Sequence, residues 1–280
     1  MCLVAFLLMQ AGACRADDEV VGLPPLPGGP EPVTLSAHLF RAAAAGRRPA
    51  VVFLHGCGGL LNRRGAIGPR ERAWAERLNA AGISVLMVDS FNPRHHGPMC
   101  APAQFDAAIY RARPFDAYAA LRYLQARDDV RADRIGVIGW SEGGGALLGT
   151  VRADSPARPA LLAGDFRMAI AFYPASCNAR RQGAVWRSSI PLLVLVGSAD
   201  VWTPAEPCRA LVESRAPATD AAIRIYPGAF HDFDWPGMPV HEVPAFRTRA
   251  GVVPIEGEDP AAAADATERV AGFVAEHLQD

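Results

Sequence analysis

Seven short runs of apolar, largely β-branched residues recur along the 280-residue chain, and between them the apolar positions shift to a helical spacing. The runs cover residues 33–40, 50–54, 83–88, 134–138, 168–172, 191–196 and 222–226. Several are unbroken stretches of Val, Ile and Leu, the pattern of strands buried on both faces. The intervening segments predict helices over residues 70–81, 114–126, 143–152, 204–213 and 260–279. Pro114 and Pro204 suit a first helical turn, where the missing N–H has no partner to lose. Ala117, Leu121 and Leu124 form a stripe at helical spacing, which core packing explains without a functional role. Strand alternating with helix implies a mostly parallel central sheet with helices on both faces. No internal repeat interrupts this order, so residues 17–280 are expected to form one α/β domain, entered through a Pro/Gly-rich lead-in at residues 23–32.

The first sixteen residues have a different character. A short apolar run, then Ala11, Gly12, Ala13, Cys14 and Ala16, and then Asp17 and Asp18 make the profile of a secretory signal peptide. The run falls short of the roughly 20 residues needed to span a bilayer, so no membrane span is expected. A periplasmic or secreted location follows. Past the leader four cysteines remain, Cys57, Cys100, Cys177 and Cys208, an even number that favours disulfides in an exported chain.

Charge narrows the chemistry. The formal net charge is −1, and the chain has no run of five like charges, hence no electrostatic footprint for nucleic acid. All 28 basic residues other than histidine are arginine. Without a lysine the chain has no side-chain amine for Schiff-base catalysis, a Ser–Lys dyad or a P-loop.

The strand at 134–138 runs into Gly139, Trp140, Ser141, Glu142 and Gly143, with a helix following. This is G-x-S-x-G in strand–turn–helix context, where a sharp turn lifts the serine hydroxyl out of the sheet. Ser141 is therefore the expected nucleophile. A serine needs a base to take its proton and an acceptor to orient that base. His231 leaves the last predicted strand in Phe230-His231-Asp232-Phe233, with His241 in reserve. Asp200 follows the strand at 191–196 and completes the order Ser, Asp, His; Asp232 and Asp234 are weaker rivals for its role. The turn His55-Gly56-Cys57-Gly58-Gly59 closes the strand at 50–54. Its Cys57 N–H, with the N–H of Glu142, is expected to form an oxyanion hole. Trp140, Trp202, Phe91 and Trp235 also fall at strand ends and could line a substrate pocket. Arg94, His95 and His96 lack a third ligand at suitable spacing, so they read as a solvated loop and no metal is expected.

These strand ends, with Asp200-Val201-Trp202-Thr203-Pro204 and His231-Asp232-Phe233 as the more specific parts, resemble the dienelactone hydrolase family of the α/β-hydrolase superfamily. The resemblance runs from about Val33 to the C-terminus. It implies hydrolysis of a small-molecule ester or lactone through an acyl-enzyme, without metal or other cofactor. The best-known members carry cysteine where Ser141 stands, so serine points toward esterase-like chemistry. The strand order of this fold sets the 50–54 and 83–88 strands side by side, and likewise 168–172 and 191–196. That adjacency suggests the pairings Cys57–Cys100 and Cys177–Cys208. Two other readings share the sequence: a serine peptidase or acyltransferase on the same fold, and a binding module without turnover. Oligomeric state leaves no signal in the sequence.

Overall fold

The computed structural model describes residues 18–43, 46–183, 185–214 and 220–279. The expected leader at residues 1–16 lies outside the described residues.

Eight strands form one sheet: β1 (Asp18–Leu23), β2 (Leu35–Phe40), β3 (Arg48–Leu54), β4 (Ser84–Asp89), β5 (Val130–Trp140), β6 (Ala169–Phe172), β7 (Leu192–Gly197) and β8 (Ala221–Tyr226). Their order is β1-β2-β4-β3-β5-β6-β7-β8. β1 and β2 pair antiparallel, as do β2 and β4, and every later pair is parallel. The mostly parallel sheet expected from the alternating pattern is present. β1 is an addition, an edge strand largely exposed, whose residues Asp18-Glu19-Val20-Val21 carry too little apolar sequence to announce it.

Side-chain alternation along each strand divides the core in two. Ala50, Val52, Leu86, Val88, Leu192 and Val194 pack on one face against α2 (Ala107–Gln125), α3 (Glu142–Val151) and, through Cys208, Leu211 and Val212, α5 (Ala205–Glu213). Val51, Phe53, Val85, Met87, Leu193 and Leu195 pack on the other against α1 (Pro69–Ala80) and α6 (Pro260–Val274). The four-residue helix α4 (Ala179–Gln182) follows β6, and the small antiparallel pair β9 (His241–Glu242) and β10 (Ile255–Glu256) meets the loop after β8 through a bridge between Glu256 and His231.

One helix departs from expectation. Pro114 lies inside α2 and not in its first turn. The Asp106 carboxylate accepts the N–H groups of Ala108 at 2.7 Å and Ile109 at 3.1 Å, so the helix starts seven residues before the proline. That cap and the buried face of Ile109, Ala112, Ala117 and Leu121 offset the single hydrogen bond a mid-helix proline removes.

Both disulfides have the expected pairing, Cys57–Cys100 and Cys177–Cys208. The first joins the turns that follow the neighbouring strands β3 and β4. The second joins the segment after β6 to α5, just past β7. Reducing both is expected to lower the unfolding free energy by about 2–4 kcal/mol per bridge. Urea denaturation with and without reductant would read this as a fall in midpoint, and an unchanged midpoint would count against it.

Candidate active site

Ser141 stands between β5 and α3 with φ 50° and ψ −115°, a left-handed backbone that costs a non-glycine residue free energy. The surroundings hold it there. Its N–H donates to Phe172 O at 3.0 Å, and its carbonyl accepts from Gly145 N at 2.9 Å and Ala175 N at 2.8 Å. Gly143 permits the close approach of this turn to β3, since a β-carbon there would run into the carbonyl oxygens of Leu54 and His55. The sequence places a glycine where backbone must touch backbone.

Asp200 lies in the turn after β7 and His231 in the loop after β8. The Asp200 carboxylate is fixed from its own turn. Oδ1 accepts the N–H groups of Trp202 and Thr203, each at 2.8 Å, and Oδ2 accepts the Thr203 hydroxyl at 2.6 Å. Oδ2 also accepts His231 Nδ1–H at 2.7 Å, which leaves Nε2 as the acceptor of the Ser141 hydroxyl at 3.0 Å. The imidazole packs between Tyr173 and Trp202, with ring centroids 4.5 and 4.9 Å away. Burial opposes protonation of His231, but the Asp200 charge and hydrogen bond, with Asp232 and Glu256 nearby, outweigh it and raise the pKa above the usual histidine range.

The flanking acids serve other partners. Asp232 pairs with Arg70 at 2.6 Å, and Asp234 accepts from Trp74 Nε1, Trp140 Nε1 and Tyr173 Oη at 2.8, 2.9 and 2.5 Å. His241 is exposed on β9 and meets Glu256 at 3.4 Å, away from the serine.

The turn after β3 approaches the serine from the other side. His55 is buried, and burial with the nearby Arg113 charge drives its pKa well below the usual value, so the ring is neutral. Its Nδ1–H donates to Gly56 O at 2.7 Å, and its Nε2 accepts Ser90 N–H at 3.2 Å. Gly56 O accepts a second bond from Gly59 N at 3.2 Å. A trans peptide sets C=O and N–H in opposite directions, so fixing the Gly56 carbonyl also fixes the Cys57 N–H. Glu142 opens α3, where the first N–H groups have no preceding helical carbonyl to bond. Gly56, Cys57, Ser141 and His231 line one cleft of about 340 Å³.

Trp202 and Trp235 line that cleft as well. Trp140 and Phe91 do not. Trp140 is fully buried, stacked on Phe172 at 5.4 Å with its indole N–H on Asp234. Phe91 is 2% exposed and packs edge-on against His55 at 4.5 Å. Their position at a strand end locates them along the sheet rim, but the face each ring takes is set by packing. Arg94, expected in solvent, is held instead by Asp116 at 2.8 Å and Glu31 at 2.7 Å. Among the described residues no cluster of potential metal ligands occurs, and no helix is long and apolar enough to cross a membrane.

Two buried arginines carry no plain signal in the sequence pattern. Arg70 joins Glu71, Asp232 and the Tyr173 hydroxyl beneath the histidine loop. Arg113 pairs with Glu142 at 2.9 Å and donates to His55 O. A faint signal exists for Arg113, because it occupies an inward position in the helical stripe with Ile109, Ala117 and Leu124.

A dienelactone hydrolase family model matches residues 35–278. A Bacillus subtilis (strain 168) protein named as a hydrolase, YtaP, is 31% identical over 108 residues, 34% of this chain and 36% of its own length. A Bradyrhizobium protein named as a probable 2-oxo-3-(5-oxofuran-2-ylidene)propanoate lactonase is 28% identical over 178 residues, 59% of this chain and 65% of that one. The chain thus spans about a third and just under two thirds of these curated relatives. Among solved structures, Thermogutta terrifontis esterase 2 phosphorylated by paraoxon superposes with a TM-score of 0.64 and 20% identity, covering 97% of each chain. That likeness is one of fold.

Proposed function

This chain belongs to the dienelactone hydrolase family, and from that premise we propose that it hydrolyses a small carboxylic ester or lactone through an acyl-enzyme on Ser141. The observation that carries the reading is the continuous line Ser141 Oγ, His231 Nε2, His231 Nδ1 and Asp200 Oδ2, at 3.0 and 2.7 Å, opening into the cleft beside Cys57.

Ser141 Oγ attacks the substrate carbonyl carbon while its proton passes to His231 Nε2. The carbonyl oxygen becomes an oxyanion facing the N–H groups of Cys57 and Glu142, and one such donor is typically worth about 10²–10³ in turnover. As the tetrahedral intermediate collapses, the C–O bond to the alcohol breaks and His231 gives that oxygen the proton. In a lactone the alcohol stays tethered to the acyl chain. Water then attacks the acyl-enzyme, its proton going to His231, and Ser141 recovers its hydrogen as the acid leaves. Asp200 holds the imidazole in the tautomer this requires and stabilises its charged form.

A panel of chromogenic esters and simple lactones tests the reading. Turnover of at least one class, with covalent labelling of Ser141 by a fluorophosphonate, is expected; neither occurring would refute it.

His231 acts as base only when neutral. Activity is therefore lost as pH falls through its raised pKa, and the acid limb of kcat/KM is expected above about 6.5, the ordinary histidine value. Glu256 is one of the charges favouring the protonated ring, so Glu256→Gln should move that limb to lower pH. A pH–rate profile of both proteins checks the sign.

We also propose export to the periplasm or beyond. The two disulfides support it, since such bonds persist mainly in oxidising compartments.

A further inference from the structure

We propose that Arg113 is a positioning residue that fixes the two backbone oxyanion donors relative to one another; this rests on the acyl-enzyme reading above. The donors come from segments far apart in sequence. Cys57 N–H belongs to the turn after β3, and Glu142 N–H to the first residue of α3. Neither segment is held to the other by sheet hydrogen bonding at that point, yet an oxyanion hole requires both donors within hydrogen-bond distance of the same oxygen.

Arg113 reaches both from a third element. It projects from α2, is fully buried, and divides its guanidinium between the segments. Nη1 donates to Glu142 Oε1 at 2.9 Å, and Nη2 donates to the carbonyl of His55. The guanidinium also lies 5.4 Å from the centroid of the Phe91 ring, which itself packs on His55. A planar fork makes two such bonds at a set separation, which an ammonium cannot reproduce. With His55 O held by Arg113 and Gly56 O held by the His55 ring, two successive peptides of the turn are immobilised. The N–H of the second is that of Cys57.

The Glu142 side chain has its own place in this arrangement. Burial pushes its carboxyl pKa up, and the Arg113 charge and hydrogen bond oppose that shift. A carboxylate beside a developing oxyanion is unfavourable unless its charge is matched, and Arg113 matches it. Glu142 and Arg113 together therefore present a neutral, rigid pair behind the hole.

The test separates positioning from general support. In Arg113→Lys, the positive charge is kept on a single nitrogen and the planar two-nitrogen fork is lost. Expected are a fall in kcat of about 10-fold or more, KM within twofold, and weakening of an aryl trifluoromethyl ketone, whose hemiketal mimics the oxyanion, in proportion to the loss of kcat/KM. The acid limb of the pH profile stays where it was, because His231 is untouched. A folded variant with kcat and ketone affinity within twofold of the parent would overturn the proposal, as would a loss confined to KM. Should Arg113→Lys fail to fold, Glu142→Met, which keeps the backbone N–H and the side-chain length but removes the oxygen that accepts from Arg113 Nη1, carries the same measurements with the same two outcomes. Turnover that survives Ser141→Ala would sink the acyl-enzyme reading; unchanged kcat in an Arg113 variant of an enzyme that Ser141→Ala silences sinks only the clamp.

Discussion

Replacing Ser141 by alanine is expected to lower kcat on any ester the protein turns over by about 10⁴-fold or more and to abolish fluorophosphonate labelling. The substitution removes one oxygen and leaves the rest of the site in place. The hydrogen bonds that hold the turn use the Ser141 backbone and not its hydroxyl, so the fold has no reason to fail. Alanine meets the same left-handed backbone conformation as serine, so strain is unchanged as well. KM should move little, because substrate binding depends on the cleft walls, Trp202 and Trp235 among them. Residual turnover would come from the oxyanion donors acting on water alone. Circular dichroism and a thermal melt matching the parent, beside a silent assay, complete the expected result. A Ser141→Ala protein that keeps a tenth of parental kcat would place the nucleophile elsewhere.

Much of this site is legible in the chain itself because its components are local. G-x-S-x-G after a buried strand dictates a turn whose geometry depends on Gly143, and Gly143 indeed lies against the carbonyls of Leu54 and His55. Asp200 and His231 each follow a strand at the end of the sheet, so the sheet brings them to one rim. The disulfides follow from the same adjacency, β3 beside β4 and β6 beside β7. What the chain does not announce depends on contacts across the fold. Trp140 closes a strand that ends at the site, yet its ring turns inward because Asp234, 94 residues later, accepts the indole N–H. Arg94 precedes two histidines and a glycine in a loop, but Asp116 and Glu31 draw it under the surface. Pro114 reads as a helix start because a proline is a local signal; Asp106, which begins the helix, is an ordinary loop acid until its carboxylate is seen on two N–H groups. In each case the deciding partner is a polar atom whose pairing hydrophobic spacing does not encode.

Asp200→Asn should be nearly as damaging as loss of the serine, at about 10⁴-fold in kcat, although it changes only one atom. The reason is the direction of a single hydrogen bond. Two backbone donors, the N–H groups of Trp202 and Thr203, both point at Oδ1. An asparagine must keep its oxygen there, because the amide nitrogen would face two donors in that position. Its NH₂ is thereby assigned to the site of Oδ2, the atom that now accepts His231 Nδ1–H at 2.7 Å. Nδ1 then has to accept, and a neutral imidazole that accepts at Nδ1 carries its proton on Nε2. That nitrogen faces Ser141 Oγ at 3.0 Å and can no longer take the serine proton. The Thr203 hydroxyl, which donates to Oδ2 at 2.6 Å, can turn to accept from the NH₂, so the variant has a satisfied, folded ground state in the wrong tautomer. Stability close to the parent with kcat reduced about 10⁴-fold is therefore the expected pair of results, measured by thermal melt and by steady-state ester hydrolysis. An Asp200→Asn enzyme within tenfold of parental kcat would show that the imidazole is oriented by something other than this carboxylate.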